Sequence, residues 1–411
     1  MPLSPYLPVM EDAEDQLRLP GKRFNVAGHQ LHILHAPDVR LQAMLHLIAG
    51  ARHSIALSMY MFENDTSGTE VRDALVAAAA RGVDVALLVD SFGSARVPAS
   101  FFQPLADAGG RYHFFSSRWR LSYLIRNHQK ILIVDAQHAQ VGGYNITDQY
   151  FGRRGDQSWE DLGLLVSGPD VARIADYVSE LIELSADGGV RLLALRRLIK
   201  EWQPGEGALQ WLVGGPTNHL SPWALSLKRD LQNARLIDIV AAYFSPTQSI
   251  LRRLARAARN GGAVRLVLAG KTDNGATIGA ARILYGYLLK RKVRICEYRP
   301  RLLHTKLLVI DDAAYIGSAN LDIRSLFINK ELMLRIEDAA VADHLRELAD
   351  ELAQESDPQT TELHRARLSW FNRLRWSLAY LLVNSVDYNI GRRISSRITQ
   401  ALRERLPGSK G

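Results

Sequence analysis

Two short stretches of the sequence place a histidine and a lysine, two residues apart, just before an apolar run that ends on an aspartate. The stretches read "RNHQKILIVD" and "LLHTKLLVIDD". Their polar residues are His128, Lys130 and Asp135 in the first copy, and His304, Lys306 and Asp311 in the second. Side chains two apart on a strand share a face, so each histidine is expected to point the same way as its lysine.

These residue types suit displacement at a phosphodiester. A neutral imidazole can attack phosphorus when a partner holds its other ring nitrogen. A second imidazole can protonate the leaving alkoxide and then activate an incoming hydroxyl. Two lysines can stabilise the negative charge that develops on the phosphoryl oxygens. This chemistry requires neither a metal nor a cofactor, and we expect none.

The elements that must position these residues recur in the same order in both halves of the chain. A strand at 53–62, a helix, and a strand at 83–90 precede the first motif, and comparable segments precede the second. Short apolar strands that alternate with helices favour a parallel sheet covered on both faces. The sequence therefore predicts an α/β fold with two similar lobes of mixed or parallel sheet flanked by helices, related by a pseudo-twofold axis and followed by a C-terminal helical tail.

The predicted boundaries follow from composition and from this repeat. The segment "EWQPGEGALQ" at 201–210 contains three turn-forming residues and is the expected linker. We expect an N-terminal arm at 1–30, a first lobe at 31–203, a second lobe at 208–356 and a basic tail at 357–411.

Composition limits the class of protein. Of the residues, 47% are hydrophobic and 23% are charged, as in ordinary globular proteins. The single cysteine, Cys296, excludes an internal disulfide and is expected in a buried strand. No basic residue precedes Arg18 and no run of 18 apolar residues occurs, so we expect neither a secretory signal nor a membrane-spanning helix, and a protein kept in the cytoplasm.

The net charge of +8 is concentrated at the C-terminus. Residues 361–411 contain ten Lys or Arg and three Asp or Glu, so the rest of the chain is almost neutral. A nucleic-acid groove would spread its basic residues over the folded body. The charge pattern therefore argues against a nucleic-acid partner and directs attention to the tail.

The tail has the pattern of a basic amphipathic helix. Apolar residues recur at intervals of three and four, namely Leu368, Phe371, Leu374, Leu378 and Leu381. Arg365, Asn372 and Arg373 lie largely opposite, and a second basic segment follows at 390–406. Trp370, Trp376 and Tyr380 are side chains that favour a membrane interface. The pattern predicts a tail that lies on anionic lipid, with packing on the protein's own body as the alternative.

The two motifs resemble the signature of the phospholipase D superfamily, His-x-Lys-x4-Asp followed by a glycine-rich turn and an asparagine. Here the turns contain Gly142, Gly143 and Asn145, and Gly317, Ser318 and Asn320, with one residue fewer before the second turn. The resemblance implies that His128 is the nucleophile, that His304 is the acid and base, and that Lys130 and Lys306 act with Asn145, Asn320 and Ser318 on the phosphate. It also implies that Asp161 and Glu331 are hydrogen-bonded to the imidazoles. Asp135 and Asp311, although counted with the catalytic motif, are expected to support the geometry of the site.

Stretches such as "GGYNITDQYFG" and "GSANLDIRSLFINKE" resemble bacterial cardiolipin synthases of the phospholipase D type, in their shorter, peripheral branch. The resemblance implies phosphatidyl transfer between phospholipids through a phosphohistidine, with phosphatidylglycerol and possibly phosphatidylethanolamine as substrates. It implies peripheral association with the cytoplasmic side of the cell membrane. The alternatives are hydrolysis to phosphatidic acid, a nuclease of the same superfamily, and a non-catalytic membrane scaffold that keeps the fold.

Other polar residues near the first motif lack a counterpart in the second half. His113 and His138 are expected to be structural. The preceding loop contributes Arg118, Trp119, Arg120 and Arg126, which could admit an anionic head group or could form an ordinary surface loop.

Overall fold

A computed structural model describes residues 19–116, 125–186, 189–217, 220–272 and 275–385. In the first half the elements are β1 (Arg23–Val26), β2 (His29–Leu34), α1 (Pro37–Gly50), β3 (Ser54–Met59), α2 (Thr66–Ala80), β4 (Asp84–Asp90), α3 (Gln103–Asp107), β5 (Arg111–Phe115), β6 (Ile131–Val134), β7 (His138–Gly142), β8 (Gly163–Ser167), α4 (Asp170–Ala186) and α5 (Leu192–Glu201).

The second half repeats this order with small additions. Its elements are β9 (Leu209–Val213), α6 (Pro222–Asp230), β10 (Leu236–Ala241), β11 (Phe244–Ser245), α7 (Gln248–Arg259), β12 (Ala263–Ala269), α8 (Gly275–Leu289), β13 (Arg294–Tyr298), β14 (Lys306–Ile310), β15 (Ala313–Gly317), β16 (Leu321–Asp322), α9 (Ile323–Phe327), β17 (Leu332–Glu337), α10 (Ala339–Gln354), β18 (Ser356–Gln359), α11 (Thr361–Arg367) and α12 (Trp370–Ser385).

Each half of the chain builds one eight-stranded sheet. The strand orders are β1-β2-β8-β7-β6-β3-β4-β5 and β18-β13-β12-β10-β14-β15-β17-β9. Read in reverse, the second order matches the first strand for strand from β2 to β5. This arrangement confirms the predicted α/β fold with two similar lobes.

Both sheets are mixed rather than parallel throughout. The strands β3, β4 and β5 are parallel, but β6 runs antiparallel to β3 and to β7. The same holds for β10, β12 and β13, with β14 antiparallel to β10. The motif strands β6 and β14 are therefore central and fully buried, which explains their uninterrupted apolar sequence.

A shared hydrophobic core lies between the two sheets. It includes Ile131 and Leu164 of the first sheet, Leu307 and Ile316 of the second, and residues of α4, α5 and α10. Two further cores cover the outer faces, one beneath α1 to α3 and one beneath α6 to α8. The two lobes are thus joined by a common interior.

The sheets extend past two of the expected boundaries. Strands β1 and β2 pair across a turn at Ala27 and Gly28, both with positive φ, so residues 23–30 belong to the first sheet and not to an N-terminal arm. At the other end β18 pairs with β13, so residues 357–359 belong to the second sheet and not to the tail. Both segments are short edge strands, which carry a weak sequence pattern.

Helix α12 packs on α8 by a face that differs from the predicted one. Trp376 and Ala379 are buried against Gly279, where even a Cβ atom would touch both, and the Trp376 ring stacks on His364 with centroids 5.8 Å apart. The assignment of Trp376 to a membrane interface is therefore wrong. The predicted second basic segment at 390–406 lies outside the described residues. Within the described residues, no helix is long and apolar enough to cross a membrane.

Candidate active site

Both His-x-Lys pairs lie at the junction between a loop and a central strand. Lys130 directly precedes β6 and Lys306 begins β14, with each histidine two residues earlier. The backbone N–H of His128 donates to the Lys330 carbonyl at 2.9 Å, and that of His304 donates to the Glu160 carbonyl at 2.7 Å. Each motif is therefore tied to the lobe that carries the other motif.

Each imidazole is held by a carboxylate of the opposite half of the chain. His128 Nδ1 lies 3.0 Å from Glu331 Oε2, and His304 Nδ1 lies 2.7 Å from Asp161 Oδ2. Because an ionised carboxylate only accepts, we assign the ring proton to Nδ1 in both histidines. This leaves both Nε2 atoms available to a substrate.

Burial lowers the pKa of both histidines. For His128 this effect is opposed by Glu331. For His304 the pKa is held well below its ordinary value by burial and then by Lys306, whose Nζ lies 2.7 Å from Nδ1. Lys130 and His128 also lower the pKa of His304, so the four groups form one electrostatic cluster. A neutral, nucleophilic imidazole is favoured in such a cluster.

Glu331 and Asp161 differ in the hydrogen bonds that hold their carboxylates. Glu331 Oε2 also accepts from the Ser318 hydroxyl at 2.5 Å, and Oε1 accepts from the Ser325 hydroxyl at 2.7 Å. Burial acts to raise the pKa of Glu331, but His128, Lys130 and Ser318 together outweigh it and the net pKa is lowered. Ser318 was expected to bind the phosphate, whereas its hydroxyl holds Glu331.

Asp161 is enclosed more tightly. Burial raises its pKa to about 6, against the opposing effect of Lys306. A Cβ atom at Gly143 would lie against the Asp161 carboxylate, so this position requires glycine where the other copy has Ser318. The buried Arg40 guanidinium donates to the Asp161 carbonyl at 2.5 Å and to the Tyr150 carbonyl at 2.8 Å. The sequence analysis missed Arg40, which has no counterpart in the motif.

The two lysines lie beside their own histidines. Lys130 Nζ donates to the His128 carbonyl at 2.7 Å and lies 5.0 Å from the centroid of the Tyr60 ring. Lys306 Nζ donates to the His304 carbonyl. Burial lowers the pKa of Lys130 to about 7. An anionic phosphate in the cluster would restore the lysine charge, because opposite charges favour ionisation.

The two asparagines occupy matching buried positions after β7 and β15. Asn145 Oδ1 accepts from the Met61 N–H at 3.3 Å, and its Nδ2 donates to the Tyr150 hydroxyl at 3.1 Å. Asn320 is 4% exposed, and its Oδ1 has no hydrogen-bond partner among the described residues. A buried polar atom of this kind is costly unless a ligand or water satisfies it.

Asp135 and Asp311 lie at the far ends of the motif strands, away from the cluster. Both have positive φ values, 53° and 49°. Asp135 accepts from the backbone N–H groups of three consecutive residues, 52–54, at 2.7–2.9 Å. Asp311 accepts likewise from Arg235 and Leu236. Both aspartates therefore fix the turn that ends the strand, and the structure does not bring them to the imidazoles.

Aromatic rings that the sequence analysis did not single out cover both histidines. The Tyr60 ring lies edge-on to His128 with centroids 4.8 Å apart. Tyr150 and Trp159 lie 5.1 and 5.3 Å from His304. Tyr60 had a usable signal, since Tyr243 follows the corresponding strand of the second half. Tyr150 and Trp159 have none, because they belong to one copy only.

Arg126 does not present a free charge to the cleft. It is buried, with its guanidinium carbon 3.8 Å from the centroid of the Phe92 ring. Arg118, Trp119 and Arg120 of the same predicted loop lie outside the described residues. Across the part of the chain that the structure describes, no group of three His, Cys, Asp or Glu side chains could hold a metal ion.

Two motifs that meet in one buried site define the phospholipase D superfamily, and comparison with known proteins agrees with this class. The family model described as "Cardiolipin synthase, PLD-like domain" matches residues 44–182 and 227–353. The chain therefore belongs to the phospholipase D-like cardiolipin synthase family, as an enzyme of the phosphatidyltransferase type.

Relatives are similar over most of the chain. Cardiolipin synthase B of Salmonella typhimurium is 32% identical over 86% of this chain and 87% of its own length. Cardiolipin synthase A of Pseudomonas fluorescens is 31% identical over 84% of this chain and 74% of its own. Among solved structures, phosphatidylserine synthase of Haemophilus influenzae matches with a TM-score of 0.68 at 14% identity, over 90% of this chain and 94% of that one. The last likeness concerns the fold alone.

Proposed function

We propose that the protein makes cardiolipin by transferring a phosphatidyl group from one phosphatidylglycerol to the hydroxyl of another. The observation that carries this proposal is the crosswise pairing of His128 with Glu331 and of His304 with Asp161. It places two imidazoles in one buried cluster, each with its Nε2 open to the substrate; His128 reacts in the neutral form, and His304 takes up a proton at Nε2 when the anionic donor binds beside it. The family and its relatives favour a lipid as both donor and acceptor.

In the first step, His128 Nε2 attacks the donor phosphorus as the bond to the glycerol oxygen breaks. The leaving oxygen takes a proton from Nε2 of His304, which enters this step as the imidazolium beside Asp161. Lys130 and Lys306 hold the non-bridging oxygens as charge redistributes. The products are free glycerol and a phosphatidyl group on His128.

In the second step, the hydroxyl of another phosphatidylglycerol loses its proton to His304 Nε2 and attacks the phosphorus. The P–N bond breaks, cardiolipin leaves, and both histidines return to their starting states. Water in place of the lipid hydroxyl would give phosphatidic acid. The outcome thus depends on which hydroxyl reaches the phosphohistidine first.

Helix α12 supports attachment to a membrane surface in this proposal. Several large apolar side chains on and just before it are exposed, namely Leu368, Trp370, Phe371, Leu374, Leu378 and Leu381. The exposed side chains of Arg373 and Arg375 lie among them on the same helix. A helix anchored by Trp376 and apolar on its outer face fits an anionic lipid surface. We infer peripheral association with the cytoplasmic leaflet, where the substrate resides.

The proposal is tested with phosphatidylglycerol vesicles and mass spectrometry of lipids and intact protein. Wild-type protein should yield cardiolipin and free glycerol in equal amounts, and His128→Ala should yield neither. His304→Ala should retain a covalent phosphatidyl adduct when given a donor with a good leaving group, because it lacks the base for the second step. Phosphatidic acid as the main product would establish a hydrolase instead. An adduct on His128→Ala would reverse the roles of the two histidines.

A further inference from the structure

A cluster of three polar side chains lies beside the His304 half of the site and has no part in the chemistry described above. Glu160 is 3% exposed, and both of its carboxylate oxygens are engaged. Oε2 lies 2.5 Å from an Arg301 guanidinium nitrogen, and Oε1 lies 2.5 Å from His35 Nε2. The side chains of Arg301 and His35 are 34% and 41% exposed. The cluster therefore presents the partly exposed Arg301 guanidinium to solvent and hides its carboxylate.

Backbone pairing places this cluster next to His304. The Glu160 N–H donates to the Leu302 carbonyl at 2.8 Å, and its carbonyl accepts from the His304 N–H at 2.7 Å. Glu160 also directly precedes Asp161, the partner of His304. Arg301 thus lies three residues before the acid and base on the same segment, and a buried carboxylate fixes its guanidinium.

The other half of the site has no such cluster. When the two motifs are superposed in sequence, Ile125 takes the place of Arg301 and Lys330 takes the place of Glu160. Ile125 packs against the shared core. Lys330 is fully buried, and its Nζ donates to the Tyr177 hydroxyl instead of facing the cleft. The pseudo-twofold symmetry is therefore also broken here, on the side where a hydroxyl group must be placed.

We propose that Arg301, positioned by Glu160, binds the phosphodiester of the acceptor lipid; this inference rests on the proposed function. The acceptor hydroxyl must reach His304, and in phosphatidylglycerol that hydroxyl is separated from a phosphodiester only by the glycerol backbone. The glycerol that leaves in the first step carries no second phosphate. A guanidinium matches a phosphodiester with two parallel hydrogen bonds. Arg301 therefore acts in the second step alone, and it selects an anionic lipid acceptor over water.

The test compares cardiolipin with phosphatidylethanol, two products that form from the same phosphohistidine by attack of a lipid hydroxyl or of ethanol. Wild type and Arg301→Ala are incubated with phosphatidylglycerol vesicles containing ethanol, and cardiolipin, phosphatidylethanol, phosphatidic acid and glycerol are measured. The variant should lower the ratio of cardiolipin to phosphatidylethanol by roughly tenfold or more, the effect of losing hydrogen bonds to a charged group. The rate of glycerol release at high ethanol should stay close to that of wild type.

Three variants sharpen the result. Arg301→Lys keeps the charge and should recover part of the ratio, and Glu160→Gln should lower it by loosening Arg301. Arg299→Ala is the matched control, because Arg299 belongs to the same segment and is 41% exposed but pairs with Glu297 and Asp357. Its product ratio should equal that of wild type.

Two outcomes would overturn the inference. An unchanged product ratio in Arg301→Ala would show that the acceptor does not use this side chain. A fall in glycerol release with an unchanged ratio would place Arg301 in the donor step. The proposed transfer itself would fail if wild-type protein released no glycerol, or released glycerol without making cardiolipin. This failure is seen in the wild type, so it is distinguishable from the two outcomes for Arg301→Ala.

Discussion

Glu331 Oε2 lies 3.0 Å from His128 Nδ1, although the two residues are 203 positions apart and precede strands of two different sheets. Asp161 and His304 repeat the relationship in the opposite direction. The orientation of each imidazole thus depends on the correct packing of the other lobe.

Glu331→Gln should slow the reaction with little effect on folding. The amide keeps a similar shape but loses the charge that stabilises the Nδ1–H tautomer of His128. We expect kcat to fall by about 10²- to 10⁴-fold, as when a histidine loses its carboxylate partner. The measurement is steady-state glycerol release, with a thermal melt as control. A variant with nearly full activity would contradict the assignment of Glu331.

The pH dependence of kcat/KM should show the titration of Lys130. Its pKa is lowered to about 7 by burial, so the free enzyme loses this charge as the pH rises through that value. Lipid phosphate binds less well to the neutral lysine, and kcat/KM should fall above about pH 7. The bound phosphate favours the charged form, so kcat should hold to higher pH.

Lys130→Arg separates this effect from other titrations. Arginine stays charged over the same range, so the variant should lose the fall above about pH 7 even if its rates are lower throughout. An identical alkaline limb in the variant would assign that limb to another group.

Asp135→Ala should destabilise the protein without changing the chemistry. It removes the acceptor for three backbone N–H groups and leaves a non-glycine residue without local hydrogen bonds at a φ of 53°. We expect a loss of about 1–3 kcal/mol in the free energy of unfolding, toward the lower value because the turn is partly exposed. Asp135→Asn should cost less, since asparagine accepts hydrogen bonds and tolerates this φ. Chemical denaturation measures both, and activity per folded molecule should match wild type.

Lys330→Met should stabilise the protein more at acidic than at alkaline pH. Burial lowers the Lys330 pKa from 10.5 to about 7. Below pH 7 the lysine is charged in both states, so the folded state bears the full cost of burying that charge. Between pH 7 and 10.5 the lysine is neutral when folded but still charged when unfolded. The loss of folding stability that Lys330 causes therefore declines as the pH rises through this range. Melting temperatures at pH 6 and pH 9 should show the larger gain at pH 6. The exposed Lys228→Met is the control, and a gain that is equal at both pH values would refute the prediction.

Charge on the outer face of α12 should abolish membrane attachment while the active site stays folded. Leu374→Glu with Leu378→Glu places two acids where apolar side chains are half exposed. Sedimentation with anionic vesicles should drop to background, whereas the melting temperature should not change. Truncation after Thr360, which leaves β18 in its sheet, should act likewise on sedimentation. Undiminished sedimentation of both variants would exclude α12 as the attachment site.

The repeat and its motifs were sufficient to predict the two-lobed α/β fold, because apolar strand cores and their spacing are local signals. They also identified the residues of the cluster, including Asp161 and Glu331. They could not predict which lobe each carboxylate serves, since that depends on the packing of one sheet against the other. The edge strands β1 and β18 were missed for a similar reason, as pairing with a neighbour defines them more than composition does.

Side chains that belong to one copy only were the hardest to find. Arg40, Trp159 and Arg301 have no repeated partner, and they act through contacts with residues more than a hundred positions away. Trp376 illustrates the opposite error, because a pattern typical of a membrane interface describes a buried anchor equally well. A helical pattern identifies an apolar face but not what covers it.

The common interior of the two lobes has a consequence for motion during turnover. Side chains of both sheets interlock in one core around α4, α5 and α10, and a packed core deforms little without unfolding. Opening the cleft by swinging the lobes apart would expose that core to water. In the proposed function, lipids therefore enter and leave a fixed cleft through its rim, and release of cardiolipin is expected to be governed by its return to the bilayer rather than by a hinge.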